Sequence, residues 1–185
     1  MAKGERVQGF RGEGAYRLAR YSGVPVINAM TDMNHPCEVI SDMYSLSKTR
    51  ADFTKDKYLF CGEAGDIGRS WKEASVVMGF ELSQCCPKGY EMEEVQAFYD
   101  IKDAVKDKDI ICTDSLPTGM AKNFENCQVK KEVMDMANKN AVLNSCPPFY
   151  RGEEVSADAI DSDYFVGYQF KKYLLEIQQA VLIYF

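Results

Sequence analysis

The only histidine of this chain lies in a short motif, His35-Pro36-Cys37-Glu38, at the predicted start of a helix. Pro36 suits the first helical position, and apolar residues follow at helical spacing. The first turn of a helix carries unpaired N–H groups and partial positive charge, so it attracts anions. A histidine there can donate a hydrogen bond to a carbonyl or phosphate oxygen. The alternative is a capped helix start with an incidental histidine and a buried thiol, and residue types alone favour it.

The composition limits the classes of function. The chain has 185 residues, of which 46% are hydrophobic and 27% charged, as in an ordinary globular domain. Its net charge of −6 argues against binding to nucleic acid, which needs clustered Lys and Arg. No apolar run approaches the roughly 20 residues of a membrane span, and the N-terminus lacks the apolar core of a signal peptide. We therefore expect a cytoplasmic protein that contacts neither nucleic acid nor membrane.

The cysteines predict buried thiols and no metal site. There are seven, an odd number at irregular spacing, and several lie inside apolar strand-like runs. This pattern is typical of free thiols in a reducing compartment. No CxxC pair occurs, and a single histidine cannot build a His-rich site, so we expect neither a metal nor another cofactor.

Apolar runs alternate with amphipathic stretches along the chain. This pattern predicts an α/β fold, a doubly wound parallel sheet in a Rossmann-like three-layer α/β/α arrangement. Ligands of such sheets bind beyond the carboxyl ends of the strands, where this chain has GEAGDIG, CCPKGYE, TDSLPTGM and NSCPPFYRG. The predicted strands are 24–28, 58–62, 80–85, 95–100, 109–114 and 141–146. The predicted helices are 36–48, 69–78, 129–140 and 171–184, with a short helix or turn at 101–109.

The first residues fit this unit less well. After a polar start, a short helix and one strand precede the complete α/β pattern. We interpret residues 1–34 as the end of a preceding domain and residues 35–185 as a single α/β domain.

Four segments, in order, resemble the aspartate/ornithine carbamoyltransferase family, and its ornithine-type branch more than its aspartate type. They are INAMTDMNHPCEVISDMYSL, KYLFCGEAGDIGRSWKEASVVMGFEL, DIICTDSLPTGM and CQVKKEVMDMANKNAVLNSCPPFYRGEEVSADAIDS. The resemblance implies that residues 1–34 are the end of the family's carbamoyl-phosphate domain and that residues 35–185 are its second domain, which binds the amino substrate. The resemblance implies transfer of a carbamoyl group from carbamoyl phosphate to the amine of an amino acid or diamine.

The resemblance also implies roles for individual residues. His35 takes the place of the histidine that contacts the carbamoyl oxygen, and Glu38 replaces the glutamine beside the carbamoyl group. These two are the expected carbamoyl-phosphate contacts, and the expected catalytic residues are His35 and Cys146. The expected contacts to the amino substrate are Asp66, Asp114, Thr118, Gly119, Met120 and Cys146.

Structural interpretations stay open for several of these residues. Asp66 is also typical of the start of a helix, Asp114 of a turn after a strand, and Cys146 of a buried strand thiol. As site residues, Asp66 and Asp114 form an acidic pair that favours a cationic amine over aspartate.

The chain departs from the family pattern in two further places. The family's Ser-Thr-Arg-Thr phosphate loop does not occur, and the nearest string, SKTR at 47–50, follows the His-Pro motif. The family's late arginine has no match either, since Leu174 stands near its position. Lys171 or Lys172 could substitute, but the pattern favours a solvated helix face for both.

These departures leave three hypotheses. In the first, the chain is the amine-binding half of a carbamoyltransferase that depends on a separate carbamoyl-phosphate domain and forms a homotrimer, by analogy with the family. In the second, it is a catalytically silent relative that binds an amino acid or acts as an assembly module. The third is a dinucleotide-binding domain, based on Gly62, Gly65 and Gly68, but their spacing is GxxGxxG and not GxGxxG.

Overall fold

The computed structural model describes residues 5–185, and the side chains from residue 11 onward. Seven strands and eight α-helices are formed in this part of the chain. The strands are β1 Glu5–Phe10, β2 Val26–Thr31, β3 Lys57–Cys61, β4 Glu81–Cys85, β5 Gln96–Phe98, β6 Ile110–Thr113 and β7 Val142–Ser145. The helices are α1 Gly12–Tyr21, α2 Pro36–Thr49, α3 Asp66–Met78, α4 Ile101–Ala104, α5 Lys131–Met134, α6 Ala157–Ile160, α7 Gly167–Phe170 and α8 Leu174–Tyr184.

The main sheet has five parallel strands in the order β5-β4-β3-β6-β7. The strand order reverses between β3 and β6, which makes the sheet doubly wound and confirms the predicted fold class. The loops that follow β3 and β6 therefore diverge at a switch point, where ligands of this architecture bind.

Apolar side chains cover both faces of this sheet. On one face Tyr58 stacks 4.2 Å from Phe80 and 5.7 Å from Trp71 between ring centres, which packs α3 against β3. On the other face the fully buried Leu59, Ile111 and Leu143 lie within a second cluster. Because side chains alternate along a strand, β3 contributes to both clusters and needs a continuous apolar run.

The two helices that face the switch point begin close together. Helix α2 starts at Pro36, as predicted, with His35 as its N-cap residue. Helix α3 starts at Asp66, three residues earlier than its predicted start at Arg69. The earlier start brings Asp66 into the first turn of a helix.

The N-terminal segment forms a small parallel unit of its own. Strands β1 and β2 pair in parallel on either side of α1, so the strand predicted at 24–28 is not alone and extends to Thr31. Strand β1 was missed because its sequence, ERVQGF, is largely polar. Residues 1–4, which the sequence assigns to the same segment, lie outside the described residues.

Other element boundaries also differ from the prediction. The helix predicted at 129–140 is helical only over Lys131–Met134, and the strand predicted at 95–100 is reduced to Gln96–Phe98. All seven cysteines lie in the described part of the chain, where they are buried and form no disulfide, as expected. No helix within residues 5–185 is long and apolar enough to cross a membrane.

Candidate functional site

His35 lies at the junction of α2 and α3, held through both its backbone and its side chain. Its backbone N–H donates to Ser70 Oγ at 2.7 Å, and Ser70 Oγ donates to the carbonyl oxygen of Asp66 at 2.7 Å. Its Nε2 lies 2.8 Å from Asp66 Oδ2. The first turn of α3 therefore fixes the position of the imidazole and the nitrogen that bears its proton.

The loop before His35 is anchored to α3 by Arg69. The guanidinium donates to the carbonyl oxygens of Asp32 at 2.7 Å, Met33 at 2.5 Å and Ala64 at 2.6 Å. Arg69 therefore connects the segment before His35 to the segment before Asp66. Its guanidinium group contacts backbone carbonyl oxygens of both segments.

The charges around the imidazole favour its protonated form. Burial lowers the pKa of His35, but the hydrogen bond and charge of Asp66, with the charges of Asp114 and Glu38, outweigh it, so the pKa is raised. The hydrogen bond from His35 in turn lowers the pKa of Asp66. The pair with Asp66 therefore stabilises the imidazolium form of His35 relative to an isolated imidazole. In that form the ring can also donate a hydrogen bond from Nδ1.

Asp114 follows β6 at the switch point and lies within electrostatic range of His35 and Asp66. Burial raises its pKa to about 7, although a backbone hydrogen bond from Ser115 and the charge of His35 oppose the shift. The charges of Asp66 and Glu154 add to the shift. A carboxyl group with such a pKa gains and loses its proton near neutral pH, as a general acid or base does.

Glu38 is paired with a cation. Lys171 Nζ lies 3.0 Å from Glu38 Oε2 and 2.9 Å from Asp42 Oδ1, and only 14% of the Lys171 side chain is exposed. The prediction that Lys171 lies on a solvated helix face is therefore wrong. It precedes α8 in a 3-10 turn, Lys171–Tyr173, which points it into the protein, whereas Lys172 is exposed.

Cys146 is buried just after β7. Burial raises the pKa of its thiol, although the nearby charge of Lys171 opposes the shift. The thiol is therefore in its neutral form at physiological pH and is not an activated nucleophile. The strand before it is tied to β6 by a 2.6 Å hydrogen bond between the hydroxyl groups of Ser145 and Thr113.

The loop with Thr118, Gly119 and Met120 stands apart from this cluster. A turn forms from Pro117 to Met120, with the N–H of Met120 2.9 Å from the carbonyl oxygen of Pro117 and Gly119 at φ +81°. Thr118 and Gly119 are exposed. No hydrogen bond or ion pair in the described part of the chain joins these three residues to His35, Asp66 or Asp114.

The structure thus brings together His35, Glu38, Asp66, Asp114 and Cys146 from four separate segments. It adds residues that the sequence analysis did not select, namely Asp42, Arg69, Ser70, Asn144 and Lys171. One signal could have revealed Asp42, because an acidic residue four positions after Glu38 shares its helix face. Within the described residues, no group of three His, Cys, Asp or Glu side chains is placed to hold a metal ion.

Two family models match the chain. The model "Aspartate/ornithine carbamoyltransferase, Asp/Orn binding domain" matches residues 54–185, and "Aspartate/ornithine carbamoyltransferase, carbamoyl-P binding domain" matches residues 4–48. The first match covers most of the chain.

Individual relatives agree with these matches. An ornithine carbamoyltransferase of Syntrophus aciditrophicus is 28% identical over 89% of this chain and 62% of its own length. One from Nitrosomonas eutropha is 32% identical over 91% of this chain and 61% of its own. The crystal structure of ornithine carbamoyltransferase from Burkholderia thailandensis superposes with a TM-score of 0.90 at 29% identity, covering 98% of this chain and 65% of that one. The chain therefore spans just under two thirds of the length of these relatives.

Proposed function

Because the chain belongs to the aspartate/ornithine carbamoyltransferase family, we propose that it provides the amine-binding half of a carbamoyltransferase. The reaction transfers the carbamoyl group of carbamoyl phosphate to the amine of an ornithine-like amino acid or a diamine. The observation that carries this proposal is the convergence of His35, Asp66 and Asp114 at the switch point of the sheet. The proposed division places the end of the carbamoyl-phosphate domain in residues 1–34 and the amine-binding domain in residues 35–185.

The charges of the cluster support a cationic acceptor. Four carboxyl groups, those of Glu38, Asp42, Asp66 and Asp114, surround the cations of Lys171 and His35. A site with this excess attracts an ammonium group and disfavours a dicarboxylate such as aspartate. Thr118, Gly119 and Met120 are proposed to reach the amino acid end of the substrate, by the family resemblance.

The chemistry requires little from the protein beyond placement and charge. The neutral amine nitrogen attacks the carbamoyl carbon, an N–C bond forms, the C–O bond to phosphate breaks, and the proton that the attacking nitrogen loses leaves on the phosphate. Asp114 binds the ammonium form as a carboxylate and takes up one of its protons, for which a pKa of about 7 is suitable. His35 donates to the carbamoyl oxygen and stabilises the tetrahedral oxyanion. Cys146 shapes the wall of the site as a neutral thiol.

A separate carbamoyl-phosphate domain is the proposed partner. The match to the family's carbamoyl-P binding domain covers only residues 4–48, and the sequence contains no Ser-Thr-Arg-Thr loop. Carbamoyl phosphate is a dianion and needs positively charged groups to bind it. This acidic cluster does not provide them.

A catalytically silent amino-acid-binding module is the second candidate. One observation favours it: Lys171 forms ion pairs with Glu38 and Asp42. Its ammonium group is therefore already neutralised and does not bind a phosphate group. In this case the amine would bind at Asp66 and Asp114 without turnover.

Release of phosphate from carbamoyl phosphate tests the proposal. The purified chain is assayed with ornithine, putrescine, lysine or aspartate, with and without an added carbamoyl-phosphate domain from a relative. We expect release that depends on a cationic acceptor and on the added domain, and that is lost in His35→Ala. Absence of release under every condition would contradict transferase activity. If the amine acceptor still raised the thermal unfolding temperature of the chain in that case, the chain would be identified as the silent amino-acid-binding module.

A further inference from the structure

Helix α2 carries a polar stripe on a buried face. Glu38, Ser41, Asp42 and Ser45 follow the i, i+3, i+4, i+7 spacing of one helix side. Ser41, Asp42 and Ser45 are 0%, 2% and 5% exposed. A buried helix face is normally apolar, so polar residues at this spacing need specific partners.

The partners are two consecutive residues, Phe170 and Lys171. The hydroxyl groups of Ser41 and Ser45 donate to the carbonyl oxygen of Phe170 at 3.2 and 2.9 Å. The ammonium group of Lys171 contacts Glu38 at 3.0 Å and Asp42 at 2.9 Å. The segment that leads into α8 is thus held on the stripe by hydrogen bonds as well as by charge.

The stripe is also tied to the central sheet. Asn144 Nδ2, near the end of β7, donates to Asp42 Oδ2 at 2.8 Å. Burial raises the pKa of Asp42, and the charge of Lys171 opposes this shift. Lys171 therefore favours the ionised form of Asp42, and loss of Lys171 alone would favour uptake of a proton by this buried carboxyl group.

This network ends beside His35. Glu38 lies in the first turn of α2, directly after the histidine, and its charge acts on the imidazole together with Asp66 of α3 and Asp114 after β6. Of these three carboxyl groups, Glu38 is the one whose charge Lys171 balances at contact distance.

We propose that Lys171 is a positioning residue of the His35 site. Its ammonium group clamps the segment before α8 onto the helix that begins at His35, and it balances the charge of Glu38 beside that imidazole. The clamp itself follows from the contacts, whereas its relevance to catalysis rests on the proposed function. The charge state of the site therefore depends on Lys171, a residue far from His35 in sequence.

The single histidine makes the test direct, because the imidazole gives one signal in a ¹H–¹³C NMR spectrum. The comparison is made in an Asp42→Asn background, which removes the buried carboxylate that would otherwise take up a proton. In Asp42→Asn, Lys171 still balances Glu38. In Asp42→Asn with Lys171→Met, Glu38 has no cation, so we expect the titration midpoint of His35 to rise. Lys171→Arg in the same background should return the midpoint to that of Asp42→Asn.

Equal midpoints in Asp42→Asn and in its Lys171→Met derivative, both with cooperative thermal unfolding, would overturn the proposal and leave Lys171 a merely structural ion-pair partner. If the Met derivative does not unfold cooperatively, Lys171→Gln in the same background provides the comparison. The titration uses no substrate, so failure of the protein to bind an amine would contradict the proposed function without affecting this result.

Discussion

Asp114 illustrates how a site residue can oppose stability. Its pKa is raised by burial to about 7 in the folded protein, against an ordinary value of 3.8. Because the folded state binds the proton more tightly than the unfolded state, this group contributes stability below about pH 4 that is lost as the pH rises through about 7. The carboxyl group proposed to take up the amine proton therefore lowers the stability of the folded protein above about pH 7.

The first prediction is that Asp114→Asn stabilises the protein at high pH. The amide has no charge to bury, so the gain over wild type should be absent near pH 4 and should grow up to pH 8. Denaturant unfolding at a series of pH values measures this difference. Exposed Asp163→Asn is the matched control. A gain that is independent of pH would contradict the assignment of a raised pKa to Asp114.

The second prediction concerns the pair of His35 and Asp66. Burial lowers the pKa of His35, and Asp66 is the strongest of the influences that raise it. Asp66→Asn should therefore lower the titration midpoint of the single imidazole, as measured by NMR. Asp163→Asn again serves as control. An unchanged midpoint would mean that the 2.8 Å contact does not persist in solution.

At the level of the secondary-structure elements, the packing of the first turn of α3 against β3 depends on one glycine, Gly68. A Cβ added to Gly68 would lie 2.8 Å from the Phe60 ring and 2.9 Å from the carbonyl oxygen of Glu63. A Cβ on Gly65 meets nothing closer than 3.5 Å. Gly65 is the N-cap of α3 and Gly68 lies in its first turn, and the two differ in the space that surrounds them.

The third prediction follows from this difference. Gly68→Ala should destabilise the protein by about 1–3 kcal/mol, the usual cost of overpacking, because a backbone carbonyl must move. Gly65→Ala, the matched control, should cost about 1 kcal/mol or less, the lower part of the range for helix-cap substitutions. Chemical denaturation measures both. Equal costs would contradict the close packing of α3 against β3.

Elements with a continuous apolar run, such as β3 and β6, were predictable from the sequence. So was the start of α2, because Pro36 marks a first helical turn. Strand β1 was not, since its pairing with β2 and not its polar sequence determines it. The clamp at Lys171 was missed because local spacing cannot show which distant carboxylates a lysine reaches. His35 and Asp66 were selected separately by resemblance, but their direct contact required the fold.

At the scale of the whole molecule, the chain exposes apolar residues at its C-terminal helix. Leu175, Ile183 and Tyr184 are 64%, 83% and 85% exposed. The fourth prediction is the homotrimer expected from the family resemblance, with a mass three times the 20.9 kDa of the chain. Light scattering after size exclusion measures it, and a monomer at high concentration would contradict it.

Titration of ornithine into the purified chain, with the His35 signal observed by NMR, shows whether the His35 cluster binds a cationic amine. We expect a saturable shift of this signal with ornithine or putrescine, little effect of aspartate, and loss of the shift in Asp114→Asn. A signal that does not respond to cationic amines, or that responds equally to aspartate, would contradict this binding.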